Sequence, residues 1–339
     1  MSQIDHTSTL PLLYARGTHY EVGYQIGSTF QKWIKRYFNH TPLMQRRMLP
    51  FYYSQKGRQI YNEYLTAAEA TFPQYITEIR GMADGSEIPF EHLFLMNVTP
   101  EEYSLDMEME DKIKSHDFGC SSVFLNKPDL KIMAHNVDCE PINTHFGYII
   151  NAHIIDPDAK TGTHGIAYAL NDITPKTIHT GSPPVVFRSR AFLSACDVDD
   201  FVRIARNESH GASVGFNANI ASLSYKEMWS LEVGPGKSEI PVKLTTIAEQ
   251  KDHIQTCHYF HFNYYQQIHP DIPSSIARSK RMSKPYLEIH RTATIQYSHD
   301  PDHCVTSCTV LFNILEKTME IYVQDPSLYP PFWKFPLTF

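Results

Sequence analysis

At residues 117 to 124 the chain reads DFGCSSVF, a glycine directly before a cysteine with two serines after it. Free cysteines are commonly small buried hydrophobes, and that plain reading stands beside any chemical one. Gly119 argues for chemistry. Without a Cβ, its carbonyl can be approached closely and its backbone can take conformations that other residues resist. A Cys120 thiol placed against that carbonyl can attack it and take the preceding segment as a thioester, which water then opens. The product is a new chain beginning at Cys120. Its α-amino group, with an unperturbed pKa of about 7.7 to 8.0, becomes a general base beside a thiol of about 8.5. Nucleophile and base then share one residue, a variant of the hydroxyl-plus-terminal-amine arrangement.

Two further groups suit this chemistry. Asp138 ends the strand-like run AHNVD, and a hairpin turning about Lys127, Pro128 and Asp129 would set its carboxylate beside the start of the preceding run. A turn aspartate is the alternative. Asn263, in HYFHFNYY, carries an amide able to donate to an oxyanion, a role in which removing one donor costs about 2.7 to 4 kcal/mol. The 18 histidines include His258 and His261, then His299 and His303 beside Cys304, but none has HExxH spacing, and paired CxxC spacing is absent. Ordinary polar and core roles are expected of them, and no metal site. GPGK (234 to 237) is a turn, and neither a Walker nor a GxGxxG loop occurs.

The elements that must position these groups fall into two compositional halves. Thr18-His-Tyr-Glu21 has capping-box spacing, and Tyr20, Ile26, Phe30, Trp33, Ile34 and Tyr37 gather near one face of a predicted helix. A second helical region runs through RQIYNEYLTAAEAT, is interrupted at Pro73, and resumes as QYITEIRGMADG, with Gly85 as its expected stop. Residues 101 to 116 are polar, charged and weakly periodic, which predicts a surface linker. Beyond Cys120 the runs SSVFLN, KIMAHNV, FGYIINAHII and HGIAYAL predict strands in a meander. A helix over 188 to 209, strands over 212 to 233, a helix over 275 to 292 and a closing hairpin about Glu316-Lys317 follow. Strands flanked by helices without regular βαβ alternation predict an α+β layered fold with mainly antiparallel sheet.

Composition narrows the partners. At 339 residues, 42% hydrophobic and 20% charged, the chain is long and apolar enough for a substantial core. A formal charge of -7 argues against nucleic acid, whose binders carry a basic face. No window reaches the roughly 18 apolar residues of a spanning helix, and the first residues lack a basic start followed by an apolar stretch. The expectation is a cytoplasmic protein with no membrane partner. Six dispersed cysteines (120, 139, 196, 257, 304 and 308) do not make a disulfide framework.

Taken together, RGTHYEVGYQIG (16 to 27), KGRQIYNEYL with FPQYITEIRGMADGSEIPFEHLFLMN (56 to 97), GCSS (119 to 122), AHNVD (134 to 138), HFNYY (261 to 265) and SSIARSKRM (274 to 282) resemble the acyl-CoA:isopenicillin-N acyltransferase-like branch of the N-terminal-nucleophile hydrolases. The resemblance spans nearly the whole chain, and its first two stretches look closest to hydrolases of N-β-alanyl amines. It implies a four-layer αββα sandwich, and a precursor cut between Gly119 and Cys120 into segments 1–119 and 120–339 that stay together as one structural domain and a heterodimer. Cys120 is then nucleophile and base, Asp138 matches the aspartate near it, and Asn263 matches the asparagine of the oxyanion hole. Glu101, Arg278 and Ser307 are the implied substrate-binding positions. No metal or organic cofactor is implied. Thr99 and Ser307 stand where the acyltransferase pattern has arginines, which argues against penicillin-type substrates. The expected activity is hydrolysis of an N-acyl amine, foremost a β-alanyl conjugate of dopamine or histamine. Acyl transfer from a CoA thioester, which shares the acyl-enzyme, and an uncleaved binding protein are the alternatives.

Overall fold

Thr18 opens the helical half of the chain. In the computed structural model, which describes residues 10–98, 119–139, 141–155, 165–173, 178–206, 210–236, 240–249, 258–268 and 305–337, its Oγ1 accepts from the Glu21 N–H and the Glu21 carboxylate accepts from the Thr18 N–H. This capping box starts α1 (His19–Thr29). The helix predicted to continue through Tyr37 breaks at Phe30, and α2 (Gln31–His40) starts anew. A π-helical turn (Leu43–Met48), α3 (Leu49–Tyr53), α4 (Gln55–Thr71), α5 (Pro73–Ser86) and α6 (Phe90–Met96) follow. Pro73 separates α4 from α5 as expected, serving as the first residue of the second, where its missing N–H has no cost.

The buried face of α1 is not the aromatic one that the spacing suggests. It consists of His19, Val22, Gly23, Ile26 and Gly27, while Tyr20 is 39% exposed. The reason is α5, whose Gly81 and Gly85 oppose Gly23 and Gly27. A Cβ on Gly23 would stand 1.9 Å from the Glu78 carbonyl oxygen, and one on Gly81 2.0 Å from that of Tyr20, so the two helices meet backbone to backbone. Gly85, expected to stop the helix, is a packing residue instead. The stop lies at Glu87, which takes the left-handed cap conformation at φ 57°.

The helical core crosses the position of Cys120 in the chain. Val22, Phe38, Met44, Tyr64 and Phe94 share one cluster with Phe187 and Ala191, from α7 (Val185–Phe192). β1 (Leu12–Gly17) pairs in parallel with β4 (Ile149–Ile154), and Phe30 stacks on Tyr148 with ring centroids 4.2 Å apart. The predicted helix over 188 to 209 is two helices. α7 ends at Phe192 and α8 (Val198–Arg206) begins after a turn in which the Asp197 carboxylate accepts from the Asp200 N–H at 2.7 Å, an N-terminal cap.

β2 (Gly119–Lys127) and β3 (Leu130–Cys139) form the predicted hairpin, with Lys127 paired to Leu130 across Pro128 and Asp129. They are central strands of a six-stranded antiparallel sheet, ordered β12-β11-β10-β3-β2-β9, with β9 (His258–His261), β10 (Val305–Asn313), β11 (Thr318–Tyr322) and β12 (Trp333–Pro336). The β10-β11 hairpin is the closing one expected, with Lys317 at φ 55° in its turn. β5 (Ile166–Ile173), β6 (Gly215–Ser222), β7 (Met228–Val233) and β8 (Val242–Thr246) form a second antiparallel sheet. The expected meander from β2 to β5 does not occur, because Ile150 and Ile154 of β4 pack against the helical core, which draws that strand to β1.

β6 is buried on both faces. Phe216, Ala218 and Ile220 face α7 and α8, where Phe192 stacks on Phe201 at 3.8 Å. Asn219 and Ala221 point the other way, toward Ser122 and Phe124 of the six-stranded sheet. Among the described residues the architecture is therefore α+β and mainly antiparallel, with helices, a four-stranded sheet and a six-stranded sheet in layers. No helix among them is long and apolar enough to cross a membrane. The predicted linker (101 to 116) and helix (275 to 292) lie outside the described residues.

Candidate active site

Strand register brings the candidate residues together. In the β2-β3 ladder Gly119 pairs with Asp138 and Cys120 with Val137. On its other side β2 meets β9, Ser122 opposite His261. Continuing that antiparallel register by two residues puts Asn263 opposite Cys120, and Asn263 Oδ1 accepts the Cys120 N–H at 2.9 Å. Asn263 Nδ2 donates to the Asp172 carbonyl at 2.7 Å. The amide cannot be turned over without loss, since a backbone N–H only donates and a carbonyl only accepts. Asn263 thus presents an acceptor to the nitrogen of the Gly119-Cys120 bond and gives one of its two Nδ2 hydrogens to Asp172.

Asp138 stands at the same end of the hairpin, in register with Gly119 rather than with Cys120. Its Oδ1 accepts from Thr306 Oγ1 at 2.7 Å. The β3-β10 register shifts between Thr306 and Cys308, so Ser307 is the extra residue of a bulge, a device that re-aims a side chain at a strand end. Its Oγ donates to the Val137 carbonyl at 3.1 Å, on the residue that pairs with Cys120. Cys120 itself is half-buried behind a buried Gly119. Gly119, Cys120, Asp138, Asn263 and Ser307 are therefore one neighbourhood, while Glu101 and Arg278 lie outside the described residues. Thr306 and the Asp172 carbonyl went unnoticed in the sequence. Thr306 adjoins Ser307 in VTSCTV, where a β-branched hydroxyl shows only as strand propensity.

A polar layer lies beneath Cys120, between the sheets. Ser122 Oγ bonds His135 Nδ1 at 2.8 Å and Asn171 Oδ1 at 2.8 Å, and accepts from Asn219 Nδ2 at 2.9 Å. Burial pushes His135 down to about 4, so its ring is neutral, and Ser122 has no exposure. This serine-histidine pair is a structural floor. His261, a neighbour of Ser122 across the ladder, has both ring nitrogens engaged, Nε2 by Glu232 at 2.9 Å and Nδ1 by the Phe262 carbonyl at 2.7 Å. That leaves it no lone pair for a metal.

Two clefts lie away from this neighbourhood. One of about 600 Å³ runs between β1 and α1, lined by Arg16, Tyr20, Tyr24 and Ile155. Another of about 580 Å³ lies at the turn end of the β2-β3 hairpin beside Lys131, whose Nζ is held by Asn126 at 2.6 Å and Glu249 at 2.5 Å. Size does not make either the site, because neither is lined by a cysteine and Lys131 is already paired.

These features define an α+β protein in which a cysteine stands second in an inner strand, with a fixed amide on one side of its backbone and a carboxylate across the hairpin. The chain is similar to a Drosophila melanogaster protein named beta-alanyl-dopamine/carcinine hydrolase, 27% identical over 97% of this chain and 97% of that relative. No family model matches the chain.

Proposed function

We propose that this protein is a self-processing cysteine amidohydrolase of N-β-alanyl amines such as β-alanyl-dopamine and carcinine. The observation that carries the reading is the Asn263 Oδ1 contact at 2.9 Å to the Cys120 nitrogen, the atom that self-cleavage turns into an amine. The near full-length similarity to a hydrolase of that name supports the substrate class.

In the precursor, Cys120 Sγ attacks the Gly119 carbonyl carbon. The C–S bond forms, the C–N bond breaks, and the Cys120 nitrogen takes a proton to become an amine. Water adds to the thioester, releasing the Gly119 carboxylate and restoring the thiol. In the mature enzyme the amine takes the thiol proton, Sγ attacks the β-alanyl carbonyl, and the ammonium then protonates the departing amine. Water opens the acyl-enzyme and β-alanine leaves. Asn263 Oδ1, already facing this nitrogen, accepts one of its hydrogens and so directs the lone pair, while the second Nδ2 hydrogen serves the oxyanion. Asp138, anchored by Thr306, is assigned to the terminal charge that cleavage creates. Glu101, Arg278 and Ser307 are assigned to the substrate, with Glu101 the carboxylate for the β-alanyl ammonium.

The same reading makes residues 1–119 and 120–339 two segments of one domain after cleavage. The parallel β1-β4 ladder, the Phe30-Tyr148 stack and the Glu78-Arg190 ion pair at 3.1 Å all bridge them and support their association. A four-layer αββα sandwich follows if a further helical layer covers the outer face of the six-stranded sheet.

Intact mass and amino-terminal sequencing of the wild type and Cys120→Ala test the processing. Two fragments, one starting at Cys120, are expected from the first and an uncut chain from the second, and identical patterns refute self-cleavage. Release of β-alanine from carcinine tests the activity. Dominant capture of the β-alanyl group by an added amine over water replaces the hydrolase with an acyltransferase.

A further inference from the structure

Four donors converge on one buried carboxylate next to the candidate site. Glu232, on β7 and 1% exposed, accepts from His261 Nε2 at 2.9 Å and from the backbone N–H groups of Gln266 at 2.6 Å, Gln267 at 2.8 Å and Ile268 at 3.1 Å. His261 Nδ1 meets the Phe262 carbonyl at 2.7 Å, and a carbonyl only accepts, so that nitrogen bears a proton. Burial pushes the Glu232 carboxyl up, but the His261 bond and the Gln266 and Gln267 N–H groups outweigh it and hold the group below the ordinary carboxylate range. The pair is closed off between the sheets.

Asn263 lies in the middle of the segment this pair holds. β9 ends at His261, so Asn263 lies two residues past the strand. Phe262 is tied to His261 on one side, and Gln266 to Ile268 are tied to Glu232 on the other. Between them Tyr265 is buried and donates to the Val233 carbonyl at 3.0 Å, seated in a notch that exists because Gly215 has no Cβ: one there would stand 1.6 Å from the Tyr265 hydroxyl oxygen. Resting on the function proposed above, we infer that Glu232 and His261 are positioning residues, which clamp the segment after β9 and so hold Asn263 at the Cys120 nitrogen. Neither touches the reacting atoms.

A double-mutant cycle tests this. Glu232→Gln keeps the shape but turns an NH2 toward backbone donors, and it should lower both self-cleavage and kcat on the order of 100-fold with KM little changed, as misplacement of a reacting group does. In an Asn263→Ala background the same substitution should cost only about twofold more, because the group through which it acts is gone. Equal losses in both backgrounds, or wild-type rates in Glu232→Gln, overturn the inference. Tyr265→Phe, run through the same cycle, gives a milder form of the same pattern and decides the matter if Glu232→Gln does not fold. Should the wild type neither cut itself nor release β-alanine, the proposed function fails, and this inference is decided by amide hydrogen exchange in the uncut Cys120→Ala chain. There Glu232→Gln, or Tyr265→Phe in its place, must speed exchange at residue 120 together with Gln266, and unchanged protection at residue 120 refutes it.

Discussion

Asn263 joins two backbone groups from distant parts of the chain, the Cys120 N–H and the Asp172 carbonyl, and this double attachment makes its substitution informative. Asn263→Ala removes both bonds and the proposed oxyanion donor, and should lower kcat on the order of 100- to 1000-fold. Asn263→Asp should do nearly as badly, because a carboxylate oxygen would then face the Asp172 carbonyl. Single-turnover kinetics on both variants checks this. Thr306→Val deletes the hydroxyl that fixes Asp138 Oδ1 and leaves the strand its β-branched side chain. Activity should fall while unfolding free energy changes by about 1 kcal/mol or less, and Thr306→Ser should restore it. Equal activity in Thr306→Val and wild type would show that Asp138 does not depend on this hydroxyl.

Much of what makes the first hundred residues look like a family signature is packing between elements. RGTHYEVGYQIG and IRGMADG place glycines four apart on α1 and α5, where each helix presses into the other's backbone. Gly23→Ala gains about 1 kcal/mol of helix propensity, but its Cβ would meet the Glu78 carbonyl oxygen at 1.9 Å, a contact that no rotamer relieves. Overpacking of this kind costs about 1 to 3 kcal/mol or more, so the expected net is destabilisation. Gly181→Ala is the control, since a Cβ there meets nothing within 4 Å and the change should stay within about 0.5 kcal/mol. Denaturant unfolding of the two variants separates them.

At the scale of the molecule, Glu78 joins the two proposed segments. It accepts from Arg190 at 3.1 Å and contacts His19 Nδ1 at 2.7 Å, and although burial raises its carboxyl, the His19 and Arg190 bonds win and lower it. A carboxyl lowered in the folded state contributes stability that is present above its unfolded pKa and lost as pH falls through its folded one. The protein should therefore lose thermal stability as the pH falls into and below the ordinary carboxylate range, and Glu78→Gln should be less stable at neutral pH with a flatter profile over that window. The cleaved protein should run as one species under native conditions and as two only in denaturant. Size-exclusion chromatography beside a denaturing gel reads this directly.

What the amino-acid sequence determines by itself is written in neighbouring residues. The Thr18-Glu21 box, the turn at Pro128 and Asp129, the break at Pro73 and the Gly119-Cys120 pair all depend on groups a few bonds apart, where local conformational preference decides. Alternation along β2 and β6 also tells which side chains share a face. It does not tell which strand lies alongside, because a period of two carries no information about the neighbour. Asn263 reaches Cys120 across 143 residues and Thr306 reaches Asp138 across 168 only because β9 and β10 dock on opposite sides of the β2-β3 hairpin. Gly85, expected to end its helix, packs against α1 for the same reason: a residue with no side chain shows its purpose only when the surface it admits is beside it.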